Sequence, residues 1–167
     1  MKPTLNLIFT IALATNVEAQ NQANMTINQN APVIQKREII IKVRPEKVWE
    51  VLTKIENWDK WNYRIKKPKI DGRSEAGKKF TWKTKGSKIK SEIHTFIPYK
   101  TLGWKGKTFG AKAIHNWYLE STEQGTTVVV EESMEGRVIG LMKKKMNRIL
   151  AEDMTYWLEQ LKIEFEK

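Results

Sequence analysis

The sequence predicts an α+β domain: a curved antiparallel sheet of about seven strands holding one long C-terminal helix, with two short helices after the first strand. Three observations carry this expectation. From Lys66 to Gly136, apolar and polar residues alternate with a period of two, and turn residues cut the stretch into strands. After Gly136 the apolar period becomes 3.6 and holds to Phe165. A chain of 167 residues with 40% hydrophobic content makes one domain with one core.

Taken in order, the elements have local causes. Between Val33 and Val43, Ile39, Ile41 and Val43 point one way and form a first strand. Arg44-Pro45-Glu46 opens a helix, because proline fits the first turn and Glu46 favours the positive end of the helix dipole. That helix turns Val48, Trp49, Val51, Leu52 and Ile55 inward, and a second short helix spans Trp58 to Trp61. Asp71-Gly72, Gly86-Ser87, Pro98-Tyr99, Phe109-Gly110 and Gln124-Gly125 then separate the strands. Phe80, Trp82 and Thr84 share one face, with Lys83 and Lys85 on the other; Ile89, Ser91, Ile93 and Thr95 alternate with Lys88, Lys90, Glu92 and His94. Leu102 and Trp104 alternate with Lys105, while Ala111, Ala113, His115, Trp117 and Leu119 alternate with Lys112 and Asn116. Val128, Val130 and Glu132 complete a sheet with one wet and one dry face. The stripe from Val138 through Met142, Met146, Leu150, Met154, Trp157 and Leu161 to Phe165 reads as one helix about 45 Å long at 1.5 Å per residue, lying across the dry face.

Composition excludes several chemistries. The chain has no cysteine, which removes disulfides, thiolate catalysis and sulfur-ligated zinc. Two histidines, His94 and His115, do not furnish a multi-histidine metal centre, and no phosphate loop, Ser-His-Asp order or cofactor motif appears; neither a metal nor a cofactor is expected. No apolar run reaches the roughly 20 residues of a membrane-spanning helix. Met1 to Ala19 reads as a secretory signal: Lys2 supplies the positive region, Leu5 to Ala14 the apolar region, and Val17-Glu18-Ala19 a cleavage site before Gln20. Export to a periplasm or the exterior is therefore expected, with a cytoplasmic location if the leader is retained. Residues 20–31, rich in Asn and Gln, read as a flexible tether, and residues 32–167 as the domain.

The element order and several short motifs resemble the SRPBCC superfamily, the START-like helix-grip proteins that include polyketide cyclase/dehydrase domains. The matching residues are Arg44-Pro45-Glu46-Lys47-Val48-Trp49, Trp58-Asp59-Lys60-Trp61-Asn62, Gly77 with Phe80 and Trp82, Gly103-Trp104-Lys105-Gly106, His115-Asn116-Trp117, Gly125-Thr126, and Glu131-Glu132-Ser133 with Gly136. They run through roughly residues 36–165. The resemblance implies a cavity between the long helix and the concave sheet that holds an apolar or amphipathic small molecule. It implies no particular reaction, since the superfamily spans carriers, cyclases and oxygenase subunits. The iron-binding branch needs more histidines than this chain has.

The inward set is Phe80, Trp82, Ile93, Trp104, His115 and Trp117 on strands, with Met142 and Met146 on the helix. Such a set lines a pocket for a greasy ligand or interdigitates to fill a core; seven tryptophans are ample for either. His115 is the one ionisable aromatic expected inside, fit to orient a ligand or act as acid or base, with Glu132 as its candidate partner. A neutral histidine satisfied by Glu132 is the structural alternative. Glu131 and Glu132 are adjacent on a strand and point to opposite faces, so they are no catalytic dyad. His94 is expected at the surface. A carrier of a hydrophobic small molecule is the reading adopted, ahead of a cyclase- or dehydratase-like enzyme using His115 and Glu132.

Charge is unevenly spread. Residues 60–112 carry 16 Lys or Arg against Asp71, Glu75 and Glu92, a net of +13, whereas the whole chain nets +11. Lys83, Lys85, Lys88, Lys90, Lys105, Lys107 and Lys112 are expected on the outer sheet face, a platform for an anionic membrane surface or a plainly solvated face. Lys143-Lys144-Lys145 and Arg148 extend the basic character along the helix. Nucleic acid is the partner that fits an exported protein worst.

Overall fold

The structure, a computed structural model, describes residues 25–167. The expected leader and residues 20–24 lie outside the described residues. Strand β1 (Val33–Ile41) leads into helix α1 (Pro45–Thr53), a 3₁₀ turn at Ile55–Asn57 and helix α2 (Trp58–Trp61). Six strands follow: β2 (Lys66–Ile70), β3 (Lys79–Thr84), β4 (Ser87–Ile97), β5 (Thr101–Thr108), β6 (Ala111–Thr122) and β7 (Gly125–Glu135). Helices α3 (Arg137–Leu141) and α4 (Lys143–Glu164) end the chain.

The seven strands form one antiparallel sheet in the order β1-β7-β6-β5-β4-β3-β2. Tight hairpins explain the run from β3 to β7. Between β3 and β4, Lys85 (φ 46°) and Gly86 (φ 79°) both take positive φ, the type I′ turn whose twist matches the strands it joins. The α1–α2 segment carries the chain from one sheet edge to the other, burying Val48, Trp49, Leu52, Trp58 and Trp61 on the way. The helix-grip architecture expected from the sequence is thus present.

Register sorts side chains onto two faces. Ile93, Trp104, His115, Glu132 and Gln35 stand opposite one another across five strands and face inward. On that face Trp157 of α4 is surrounded by aromatic rings, with centroids 5.2 Å from Trp58, 5.5 Å from Trp61, 5.8 Å from Trp117 and 6.0 Å from Trp82. Most of these are edge-to-face contacts, the arrangement aromatic quadrupoles favour. Asp153 anchors α4 further, bonding Arg64 at 2.9 Å and Lys85 at 2.7 Å. Among the described residues no helix is long and apolar enough to cross a membrane.

Several expectations require correction. The C-terminal stripe is two helices, because the chain leaves helical geometry at Met142 (φ −109°, ψ 24°) just after Gly140, a poor helix former. Lys85 belongs to the inner side, held there by Asp153. A β-bulge at His94 shifts the β4–β5 register, so Thr95 pairs with Gly103 while Phe96 pairs with Leu102 and packs 4.9 Å from Trp49. His94 is half-buried rather than at the surface. Residues 25–31, read as part of a tether, lie against the outer face. Ile27 is buried there, Asn28 donates its backbone N–H to Ser133 Oγ at 3.0 Å, and Asn116 donates to the Met25 carbonyl at 3.0 Å. One buried isoleucine and asparagine side chains that find partners suffice to dock the segment.

Candidate functional site

Among the described residues, the rings around Trp157 occupy the space beneath that part of α4, where the resemblance implies a large cavity. A smaller one, about 80 Å³, remains on the inner face toward the β5–β6 hairpin. Trp82, Ile89, Trp104, His115, Glu132 and Met134 wall it, with Gly106, Ala111 and Ala113 keeping its floor low. The alternation of each strand puts these residues on one face, and small residues opposite large ones leave the gap.

Of the residues the sequence singled out, Trp82, Trp104, His115 and Glu132 come together at this cavity. Phe80, Ile93 and Trp117 are buried core. Phe80 packs against Trp58 and Trp104 at 5.5 and 5.9 Å. Met146 packs at the edge of the core, and Met142 is 39% exposed because the break between α3 and α4 turns it outward. Neither methionine lines the cavity. Sequence reasoning missed Met134 and Ile89 as wall residues, although Ile89 lay on the expected dry face, and it missed the central place of Trp157.

The polar part of the site is one pair. His115 and Glu132 are directly opposite on β6 and β7, and Nδ1 of the imidazole is bonded to Glu132 Oε2. The ring stacks on Trp104, centroids 4.3 Å apart and planes 13° from parallel. His115 is 5% exposed, and its Nε2 is buried with no hydrogen-bond partner among the described residues. With the carboxylate ionised and the imidazole neutral, the proton sits on Nδ1 and Nε2 is a lone-pair acceptor. The arrangement can accept a hydrogen bond from a guest's hydroxyl or amide, or take a proton from it. Among the described residues, no group of three potential metal ligands is found.

Glu131 faces the other way, as its neighbour's orientation demands. It accepts hydrogen bonds from Tyr118 Oη at 2.7 Å and Asn116 at 3.2 Å. Burial, with Glu131 beside it, pushes the Tyr118 hydroxyl up to about 12. On this outer face lies a wider groove of about 700 Å³, open to solvent, walled by Met25, Lys90, Lys105, Lys107 and Lys112. Its size exceeds the inner cavity's, and Phe80, Ala113 and Ile114 add apolar lining, but it is a solvent-open groove with exposed lysines, two of them already paired: Lys105 with Glu92 and Lys112 with Glu135, each at 3.0 Å. The inner cavity combines aromatic walls with a buried unpartnered polar atom, and that makes it the candidate ligand site.

Comparison with known proteins agrees with this fold. A family model described as "Polyketide cyclase / dehydrase and lipid transport" matches residues 33–166. No curated protein matches the sequence. Among solved structures, a hypothetical protein of Helicobacter pylori is 17% identical, with a TM-score of 0.74 over 81% of this chain and 89% of its own. A START superfamily protein of Mycobacterium smegmatis is 13% identical, with a TM-score of 0.68 over 80% and 97%. The di-domain ARO/CYC protein StfQ of the steffimycin biosynthetic pathway is 14% identical, with a TM-score of 0.69 over 80% of this chain and 50% of its own. At such identities the solved structures share the fold. The family match covers most of the chain, and the chain belongs to the polyketide cyclase/dehydrase and lipid transport family of the SRPBCC superfamily.

Proposed function

We propose that the protein binds a small hydrophobic or amphipathic molecule on the inner face of the sheet, with the His115–Glu132 pair holding the guest's polar group. The observation that carries this reading is the buried, unpartnered Nε2 of His115 on a cavity otherwise walled by Trp82, Trp104 and Met134. A buried polar atom left without a partner costs free energy, and a guest with one donor and an apolar body removes that cost. About 80 Å³ admits a small ring or short chain; a larger guest requires the β5–β6 hairpin to move aside.

The test is native mass spectrometry of the full chain after mild extraction, followed by titration of recovered or candidate apolar molecules while tryptophan emission is read. Trp82 and Trp104 wall the cavity, so a bound guest changes their emission. A chain that is repeatedly empty, and whose emission responds to none of a panel of small phenols and fatty alcohols, contradicts the reading.

A second reading, a cyclase- or dehydratase-like enzyme, draws support from the same pair. A carboxylate that fixes the histidine tautomer and leaves Nε2 free to take a proton is the arrangement of an oriented general base. With an identified substrate, turnover unchanged in His115→Phe removes this reading.

A further inference from the structure

One end of the molecule combines exposed apolar side chains with a concentration of lysines. Phe109, in the β5–β6 hairpin, is 98% exposed, and Leu141, at the end of α3, is 88% exposed. The two elements touch: a Cβ placed on Gly110 would lie 3.2 Å from Val138 Cγ2, and one on Gly136 would lie 2.2 Å from the Gly110 carbonyl oxygen. Val138 is 45% exposed beside them. An apolar knob of this kind costs free energy in water and signals an interaction site when basic residues ring it.

The surrounding charges are in unfavourable positions. Register sets Lys90 opposite Lys107 and Lys107 opposite Lys112, three lysines abreast across β4, β5 and β6 at the base of the hairpin, of which Lys112 is paired with Glu135 on β7. Lys143, Lys144 and Lys145 occupy the first turn of α4, which has no acidic residue, where the helix dipole repels cations. Apart from the Lys112–Glu135 pair, both placements weaken the isolated fold. Both become favourable against a dense array of phosphates.

We propose that this end docks on an anionic phospholipid bilayer, Phe109 and Leu141 entering the boundary between headgroups and acyl chains while the flanking lysines meet lipid phosphates. The docking rests on none of the roles assigned to the inner cavity. Its geometry nevertheless bears on them, because Thr108, Ala111 and Lys112 of the same hairpin also line that cavity. A docked hairpin places the cavity beside the membrane, the phase in which an apolar guest dissolves.

The experiment uses the full chain, in which the absence of cysteine makes any introduced thiol unique. Phe109→Cys is labelled with an environment-sensitive nitrobenzoxadiazole dye and mixed with vesicles of phosphatidylcholine, with or without phosphatidylglycerol. A control label replaces Glu123 in the β6–β7 hairpin, at the opposite end of those strands. The expected result is a blue shift at position 109 with anionic vesicles, reversed by salt, and no shift at position 123. The triple substitution Lys143→Gln, Lys144→Gln, Lys145→Gln should weaken the transition roughly tenfold or more, and Leu141→Ser should weaken it with the lysines intact. Four results overturn the proposal: no shift with anionic vesicles, an equal shift with neutral ones, an equal shift at position 123, or a shift that grows with protein concentration in the absence of lipid. The last would mark a second copy of the chain as the occupant. An emptied or unresponsive inner cavity leaves the vesicle result untouched, so the two readings fail separately.

Discussion

The Nδ1 atom of His115 is bonded to the carboxylate of Glu132 across the β6–β7 pair, while the same imidazole lies flat on Trp104. Carboxylate and indole together fix the ring's tautomer and its plane. Glu132→Ala strands a buried N–H, and the expected loss is about 1–3 kcal/mol in urea unfolding. Glu132→Gln keeps an acceptor and should cost less. His115→Phe keeps the stacked ring but leaves the largely buried Glu132 carboxylate without its partner, so it too should cost about 1–3 kcal/mol, while guest binding, read by tryptophan emission on the folded variant, is lost. If guest binding survives in His115→Phe, the imidazole is a packing group only.

Trp157 is the hub of the inner cluster. Removing its indole in Trp157→Ala should cost about 3–5 kcal/mol and open an apolar void beneath α4. The variant should bind an apolar dye such as anilinonaphthalene sulfonate within its native baseline, and the wild type should not. Equal dye binding by both would show that space beneath the helix already exists.

His94 gives a pH dependence with a definite sign. Burial first, and Lys105 second, pull its pKa down from 6.5 to about 4. Between those values the unfolded chain takes up a proton that the folded one refuses. The stability tied to this group is complete above about pH 6.5 and falls as pH drops toward 4. Thermal melts from pH 4 to 8 should slope less for His94→Gln than for the wild type; parallel curves would remove His94 as the cause.

Gly136 is required by space as well as by conformation. Its φ is 137°, and a methyl group there would meet the Gly110 carbonyl oxygen at 2.2 Å, so Gly136→Ala must displace backbone. Gly77 has φ 82° but open space around it, so Gly77→Ala should cost only the conformational strain, roughly 1 kcal/mol. Chemical denaturation of the two variants should rank Gly136→Ala as the far more damaging change.

The strand pattern was legible because one face of this sheet is dry: Phe80, Trp82, Trp104, His115 and Trp117 recur at every second residue, and the alternation survives into the structure. It failed where the backbone changed phase. The bulge at His94 adds one residue to β4 and exchanges the roles of Thr95 and Phe96, an event that leaves no mark in a period of two. The helix break at Met142 was hidden for a related reason. The apolar stripe continues across it, yet α3 packs against the end of β6 and β7 and α4 against the sheet's inner face. Docking of Ile27 escaped notice because a single isoleucine among Asn and Gln has no period at all.

The order and kind of the elements, the inward placement of His115, and the opposed directions of Glu131 and Glu132 were determined by the chain's own sequence, since each depends only on local periodicity. The size and position of the cavity, the closure of the tryptophans around Trp157, and the meeting of Gly110 with Val138 of α3 were decided by the tertiary structure. Those features depend on distances between residues remote in the chain, which periodicity does not encode. Two faces can be read from an alternating pattern; how completely one of them fills depends on how the packed rings come to rest.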